Sequence, residues 1–339
     1  MRSDEVGLNC GITIPVIGLG TYSSDNDRDT TEKAIRFALK CHMYIFLYLV
    51  SMRNPNGLNE GLQMGYRHFD TARIYGSEPA VGNALRMAIE DQIIPREDVF
   101  LTSKLWSADH HDPVSALKHT LRRLEMEYID MYLVHWPLKL KPWACDAVPK
   151  EEDFEKQLDM ETTWEGMQRC LDMELCRCIG VSNFSSKKIE NLLDFASVPP
   201  AVNQVEMHPM WRQRRLRESC SKQGIHVSAY SPLGGPGNAW GSTAVVQNPL
   251  IKSIALKHKA TPAQVALKWG LSRGASVIVK SFDPDRLREN MESLDLKLDE
   301  EDLIEIGKLE ERKIMRGDFL VNDTTSPYKS LQDLWDYEI

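Results

Sequence analysis

The stretch Tyr66-Arg67-His68-Phe69-Asp70-Thr71-Ala72-Arg73-Ile74-Tyr75 decides how the rest of this sequence is interpreted. It begins like a short buried strand and ends in a turn that carries a carboxylic acid and a phenol. A parallel β/α barrel carries its chemistry at the C-terminal ends of its strands. The stretch therefore predicts a barrel strand whose end supplies Asp70 and Tyr75 to an active site.

Two later stretches repeat this arrangement. Lys104 lies near the end of the apolar run 99–105, and His135 closes the run 129–135. Four chemically useful side chains thus follow three successive candidate strands. Any one of them alone is more often a structural residue, such as a member of a buried ion pair or a packed histidine. Because all four lie at strand ends, the functional interpretation is favoured.

Further apolar runs alternate with amphipathic helical patterns along the whole chain. A hairpin over residues 8–21 leads into a first strand, and the remaining runs cover residues 66–70, 99–105, 129–135, 176–182, 201–207, 226–231 and 277–281. Eight strands alternating with helices predict an α/β fold, a (β/α)8 TIM barrel with an N-terminal β-hairpin, as a single domain over 1–339. Gly18-Leu19-Gly20 lacks the third glycine of a dinucleotide fingerprint, so we interpret it as close backbone approach at a strand.

The first βα unit is longer than a barrel requires. Between Tyr22 and Tyr66 there is room for a helix, its loops and a surplus of about twenty residues. We expect this surplus, residues 40–60, to be an inserted segment, either a helical extension or an excursion outside the barrel. It could equally be an aberrant insertion.

Composition excludes several classes of function. The net charge of −8 argues against general binding to nucleic acids or anionic membranes. The N-terminus shows no apolar signal segment, and the apolar run 44–50 is too short to span a bilayer. Seven widely spaced cysteines indicate a reducing compartment. We therefore expect a cytoplasmic protein.

The four strand-end residues suggest one chemistry. A phenol has a pKa of about 10 and is a poor acid near neutrality unless a cation lowers that value. Lys104 is the candidate cation, Asp70 would hold the lysine, and His135 would hydrogen-bond a carbonyl oxygen. Tyr75 would then protonate that oxygen while a nicotinamide supplies hydride.

No metal site is expected. His110 and His111 are interpreted as part of a surface loop, and Cys176 and Cys178 are too close in sequence for the usual structural zinc pair.

On these residues the sequence resembles the aldo-keto reductases over nearly its whole length apart from the surplus. The resemblance implies that Asp70, Tyr75, Lys104 and His135 are catalytic. It also implies an NADPH site, whose residues are Gly20, Thr21, Tyr22, Asp70, Ser182, Asn183, Gln204, Tyr230, Ser231, Leu233, Lys280, Ser281, Phe282, Arg286, Glu289 and Asn290. Lys280 and Arg286 flank a helix start at Asp283-Pro284, where cations and backbone N–H groups suit a 2′-phosphate.

Finer features, among them the ending Leu334-Trp335-Asp336-Tyr337-Glu338-Ile339, resemble a plant branch of that family. This branch includes chalcone reductase, codeinone reductase, methylecgonone reductase and deoxymugineic acid synthase. The resemblance implies a carbonyl reductase of plant specialised metabolism that acts on a small carbonyl substrate, and we expect the protein to be a monomer. Trp106, His135 and Trp136 are the expected substrate residues, with Trp143, Trp240 and Trp335 as further pocket candidates.

Two other classes stay open at this point. A non-catalytic NADP-binding barrel that serves as a regulatory subunit is the main alternative, although four intact catalytic residues argue against it. A barrel glycosidase is the other, but the strand ends offer no suitable pair of carboxylates.

Overall fold

The computed structural model describes residues 4–22, 27–50 and 65–339, and for residues 41–50 it describes the backbone. Among these residues, eight parallel strands close into a barrel in the order β10-β3-β4-β5-β6-β7-β8-β9. The barrel strands are β3 Ile17–Gly20, β4 His68–Asp70, β5 Phe100–Leu105, β6 Ile129–Val134, β7 Cys176–Ser182, β8 Val202–Glu206, β9 His226–Tyr230 and β10 Ser276–Val279. The predicted (β/α)8 barrel and its N-terminal hairpin are confirmed.

The barrel strands agree with the apolar runs of the sequence to within about two residues at each end. The agreement is close because strands buried on both faces appear as nearly continuous apolar runs. Gly18 illustrates the packing inside the barrel. A Cβ atom at Gly18 would lie 2.7 Å from Nδ1 of His68 on β4. Gly18 therefore allows neighbouring barrel strands to approach closely, and Gly20, where a Cβ atom would lie 3.3 Å from Ile278, does so to a lesser degree.

A two-stranded antiparallel hairpin closes the end of the barrel that lies opposite the active site. Its strands are β1 Glu5–Gly7 and β2 Thr13–Pro15. Leu8 and Ile14 pack there against Phe100 and Val202, which are the first residues of β5 and β8. A disulfide joins Cys10 of the hairpin to Cys178 of β7. The spacing of the cysteines did not predict this pair, and it runs against the reduced cysteines that the sequence suggested.

Helices connect the strands and cover the barrel. They are α1 Arg28–Val50, α2 Glu78–Glu90, α3 Pro113–Leu124, α4 Met160–Asp172, α5 Ser186–Leu193, α6 Arg214–Lys222, α7 Ala244–Gln247, α8 Pro249–Lys257, α9 Pro262–Ser272, α10 Pro284–Glu292, α11 Glu300–Ile306 and α12 Leu331–Trp335. The start of α10 lies where the sequence placed it, and α3, α5 and α9 begin in the same way. Asp112, Ser185, Thr261 and Asp283 each accept a hydrogen bond from a backbone N–H in the first turn.

The surplus in the first βα unit begins and ends at neighbouring points. Helix α1 continues to Val50, and residues 51–64 lie outside the described part of the chain. The backbone N–H of Tyr66 donates to the carbonyl of Ala38 at 3.3 Å, and a Cβ atom at Gly65 would lie 2.7 Å from the carbonyl oxygen of Leu39. The chain thus reaches Leu39 and resumes beside it at Gly65. The division of the chain into one domain with an insertion at 40–60 stays a prediction.

None of the helices in the described ranges is long and apolar enough to span a membrane.

Candidate active site

Asp70, Lys104 and Tyr75 form one cluster at the C-terminal mouth of the barrel, in which Asp70 and Lys104 are buried and Tyr75 is partly exposed. The ammonium of Lys104 lies 2.6 Å from Oδ1 of Asp70 and also donates to the carbonyl of Thr71 at 2.9 Å. It lies 5.0 Å from the centre of the Tyr75 ring. The second oxygen of Asp70 accepts a hydrogen bond of 2.8 Å from Gln204. The carboxylate is thus fixed on both sides and in turn fixes the lysine beside the tyrosine.

His135 completes the group from the end of β6. Its Nε2 lies 3.5 Å from the hydroxyl of Tyr75, and its ring packs edge-on against Tyr75 and Trp106. A 3₁₀ turn over Arg73–Tyr75 follows β4 and brings Tyr75 to His135. The structure therefore brings together all four side chains that the sequence selected as catalytic.

Burial controls the protonation of these groups. It raises the pKa of Tyr75 well above 10, and the nearby Asp70 carboxylate raises it further. Burial, followed by the charge of Lys104, holds the pKa of His135 well below its usual range, so its imidazole is neutral. The expectation that Lys104 lowers the pKa of Tyr75 is not met, because burial, Asp70 and Tyr22 all disfavour the phenolate. At neutral pH Tyr75 therefore carries a proton that it can donate.

A set of amide and hydroxyl groups lies next to this cluster. Ser182 donates to the carbonyl of Gln204 at 2.8 Å, and the Nδ2 of Asn183 donates to the carbonyl of His135 at 3.0 Å. The Tyr230 hydroxyl donates to Oδ1 of Asn183 at 2.8 Å. Asn183 has φ 64°, a left-handed conformation that turns its side chain back over the end of β7. Asn183 and Gln204 are buried carboxamides at the floor of a cavity, which suits a ligand with its own carboxamide.

The cavity above these groups has a volume of about 510 Å³. Its lining includes most of the sequence-predicted positions, namely Gly20, Thr21, Tyr22, Asp70, Tyr75, Trp106, His135, Trp136, Ser182, Asn183, Gln204, Tyr230, Ser231, Leu233, Trp240 and Lys280. Lys104 lies behind this wall with its side chain fully buried. A volume of this size accommodates a planar heterocycle together with a small substrate.

Sequence reasoning missed part of the cavity wall. Residues 314–319 near the C-terminus and residues 147–148 after β6 line the cavity, as do Ile74 and Asn238. Such residues carry no motif, since their position depends on how loops fold back over the barrel. Of the other tryptophans proposed from the sequence, Trp143 is 66% exposed and does not line the cavity. Trp335 packs edge-on against Trp136 from behind.

A second group of predicted residues lies around the start of α10 and, except for Lys280, outside the cavity. Arg286 is exposed there, and the ammonium of Lys280 lies 4.3 Å above the Phe282 ring. The Asp283 carboxylate already accepts from the backbone N–H groups of Asp285 and Arg286, both at 3.0 Å. The N-cap carboxylate therefore occupies these two N–H groups. The predicted phosphate contact at this helix start stays a prediction, and Lys280 and Arg286 are the cationic side chains that support it.

The remaining predicted residues support that end. Ser281 accepts from the N–H of Asp283 at 3.1 Å, and Glu289 accepts from the Thr261 hydroxyl at 2.5 Å. Asn290 is buried. Ser281, Phe282, Arg286, Glu289 and Asn290 do not line the cavity itself.

The histidines set aside as a metal site differ from their expected placement. His111 is exposed, but His110 is buried and its pKa falls to about 3 because of that burial. His110 is therefore a neutral core residue and not part of a surface loop. Elsewhere, His258, Asp299 and Asp302 lie close together, but Lys257 donates to both carboxylates and so compensates their charge.

Comparisons with known proteins agree with this geometry. Residues 17–311 match the model of the aldo/keto reductase family. Deoxymugineic acid synthase 1 of Hordeum vulgare is 47% identical over 82% of this chain and 89% of its own length. Aldo-keto reductase family 4 member C11 of Arabidopsis thaliana is 39% identical over 99% of this chain and 100% of its own. A (1S)-1,7-diacetoxy-luvungin A aldo-keto reductase of Citrus sinensis is 43% identical over 82% and 87%.

Proposed function

The chain belongs to the aldo/keto reductase family, in its plant branch, and from that membership we propose that it is an NADPH-dependent reductase of small carbonyl compounds with Tyr75 as proton donor. The observation that carries the proposal is the cluster of Tyr75 with the buried pair of Lys104 and Asp70, with His135 at 3.5 Å from the phenol. A cluster of this kind supplies a proton at one defined point above the barrel mouth.

The residues of this chain divide the work of reduction. When bound, a reduced nicotinamide supplies the hydride, and Ser182, Asn183 and Gln204 are the groups that would hold its carboxamide. Neutral His135 orients the carbonyl group by hydrogen bonding to its oxygen. Tyr75 holds its proton at the same oxygen and transfers it as negative charge develops there. Buried Lys104 then stabilises the phenolate that is left behind.

The proposed cofactor is NADPH because of the charges at the far end of the site. Lys280 and Arg286 place two cationic side chains near the start of α10. Charge-assisted contacts to a phosphate are about twice as strong as neutral hydrogen bonds. A 2′-phosphate would therefore gain more from this end than the 2′-hydroxyl of NADH.

The substrate side of the cavity favours an apolar or aromatic carbonyl compound. Trp106, Trp136, Trp240 and Phe319 present rings to it. Arg316, which also lines this side, lies 3.7 Å from the carboxylate of Asp318, so its charge is compensated. The names of the relatives describe different substrates, and the proposal for this chain is therefore limited to the class of plant specialised metabolites that carry an aldehyde or ketone.

A direct assay tests the proposal. The purified chain is mixed with NADPH and a panel of aromatic aldehydes, and the absorbance of the reduced nicotinamide is followed. Turnover with NADPH that exceeds turnover with NADH is expected. Tight NADPH binding without turnover on any carbonyl compound would instead support the alternative, a non-catalytic NADP-binding barrel that acts as a regulatory subunit. We further propose that the protein is a cytoplasmic monomer formed by a single domain.

A further inference from the structure

Glu206, the last residue of β8, is a buried carboxylate that catalysis does not use. Its Oε1 accepts from the backbone N–H of Ile314 at 2.7 Å, and its Oε2 accepts from that of Met315 at 2.8 Å. His208 hydrogen-bonds to Oε1 at 2.9 Å. Glu206 is fully buried, yet it does not line the cavity. One carboxylate thus holds two consecutive residues from a segment more than a hundred positions away in the chain.

Lys313 and Trp335 hold the same segment from its other side. The Lys313 ammonium is buried, lies 3.8 Å from Oε2 of Glu206, and sits 3.6 Å above the Trp335 ring. The indole N–H of Trp335 donates to the carbonyl of Arg316 at 2.7 Å. Burial by itself would raise the pKa of Glu206, but the His208 hydrogen bond and the Lys313 charge lower it, so the carboxylate is ionised.

The fastened segment forms one wall of the cavity. Ile314, Met315, Arg316, Gly317, Asp318 and Phe319 line it. Behind this wall, Trp335 also packs edge-on against Trp136, and Trp136 in turn packs edge-on against Phe319 of the wall. The segment is irregular apart from a 3₁₀ turn over Asp318–Leu320, and such a segment depends on side-chain contacts for a fixed position.

We propose that Glu206 is a positioning residue that fixes the substrate wall 314–319, and that it thereby sets which carbonyl compounds bind. This inference rests on the proposed function for the identity of the ligand, but the anchor itself does not. Charge-assisted hydrogen bonds from two consecutive backbone N–H groups define both the distance and the rotation of the wall. The rate of proton and hydride transfer should not depend on Glu206, because its contacts lie outside the catalytic cluster.

The variant Glu206→Gln tests the proposal with little change of shape. In the wild type, each carboxylate oxygen of Glu206 accepts from one backbone N–H. The variant replaces one of these oxygens by an NH₂ group, which cannot accept, so one of the two anchoring hydrogen bonds is lost. We expect the affinity for 2-naphthaldehyde, measured calorimetrically with saturating NADP⁺, to fall about tenfold, in line with the loss of one charged hydrogen bond. Propanal is too small to press against the wall, and its KM should change less than about threefold, with kcat also nearly constant.

Asp130→Asn is the matched control. Asp130 is also fully buried, accepts from a backbone N–H and pairs with Arg96 and Arg177, but it lies near the opposite end of the barrel. Asp130→Asn should lower thermal stability about as much as Glu206→Gln does, while the affinity for naphthaldehyde stays unchanged. A second variant, Glu206→Gln with Lys313→Met, removes the unpaired buried cation. It should regain stability but not affinity.

Hydrogen exchange provides a readout that does not require turnover. The amides of Ile314 and Met315 should exchange faster in Glu206→Gln and remain protected in Asp130→Asn. If the wild type binds naphthaldehyde without reducing it, the proposed function fails while the anchor is still tested by affinity. The inference is overturned if Glu206→Gln retains wild-type affinity, if Asp130→Asn loses as much affinity, or if the wild type binds no carbonyl ligand.

Discussion

The Lys104 ammonium and the Asp70 carboxylate form a buried ion pair of 2.6 Å, with side chains at most 4% exposed. Burial lowers the pKa of Lys104, whereas the charge and hydrogen bond of Asp70 raise it again. Asp70 therefore keeps the lysine charged in a place where water cannot. The cationic group beside Tyr75 exists because the carboxylate is there.

Replacing Asp70 by Asn should impair both activity and stability. We expect turnover to fall by about two orders of magnitude, since the phenolate of Tyr75 loses its stabilising cation. The free energy of unfolding should fall by about 3–5 kcal/mol, which is the usual effect of leaving one member of a buried ion pair without its partner. The double variant with Lys104→Met should recover stability but not turnover. Urea unfolding and single-turnover kinetics measure the two effects, and wild-type turnover in Asp70→Asn would exclude a catalytic role.

Replacing Tyr75 by Phe should remove the proton donor alone. We expect turnover to fall by about two to four orders of magnitude, the range for a positioned acid. NADPH affinity should stay within a few-fold of the wild type, because the hydroxyl of Tyr75 contacts His135 and not the carboxamide-binding groups. Cofactor affinity is measured by fluorescence titration. A Phe variant with more than a tenth of wild-type turnover in a chemistry-limited assay would contradict the assignment.

Replacing Arg286 by Ala should weaken the binding of NADPH far more than the binding of NADH. The expected loss is about one to two decades in affinity for NADPH, as for one charge-assisted contact to a phosphate. Arg288 lies on the same helix and pairs with Asp285, so Arg288→Ala is a matched control that should affect the two cofactors equally. Equal weakening of both cofactors by Arg286→Ala would place the 2′-phosphate elsewhere.

The stability of the fold should depend on pH through Lys313. Burial lowers its pKa from 10.5 to about 8, so between these two values the unfolded chain binds a proton that the folded chain has released. Stability therefore rises with pH in this window, and below pH 8 the effect is constant. Between pH 7 and 9.5, the free energy of unfolding of the wild type should rise by about 2 kcal/mol relative to that of Lys313→Met. Urea unfolding at both pH values measures this difference, and parallel pH dependences would refute it.

Deleting residues 41–63 should leave the enzyme active. The hydrogen bond between Tyr66 and Ala38 fixes the two ends of the segment side by side, so a short connection suffices. Helix-to-strand connections lie at the end of a barrel opposite its active site. We expect cofactor affinity and turnover to stay within about twofold of the wild type. A shorter connection only reduces the entropic cost of closing the loop, which affects stability and not the active site. A deletion variant that folds but no longer binds substrate would show that the segment reaches the cavity.

Local sequence was sufficient where structure follows from periodicity and capping. The barrel strands, the start of α10 and the positions of the strand-end residues were all predicted. Strands buried on both faces and N-cap side chains act within a few residues, so their signals lie in short windows of sequence. The protonation of Tyr75 was predicted less well, because burial depends on every neighbour and outweighs the single charge considered.

The sequence by itself determined the barrel, the order of its elements and the placement of four polar side chains at three strand ends. Tertiary structure alone decided the substrate wall 314–319, its anchor on Glu206, the burial of His110 and the pairing of Cys10 with Cys178. The physical reason is distance along the chain. A carboxylate on β8 and an N–H near the C-terminus meet only after the barrel has closed, and no local pattern records such a contact.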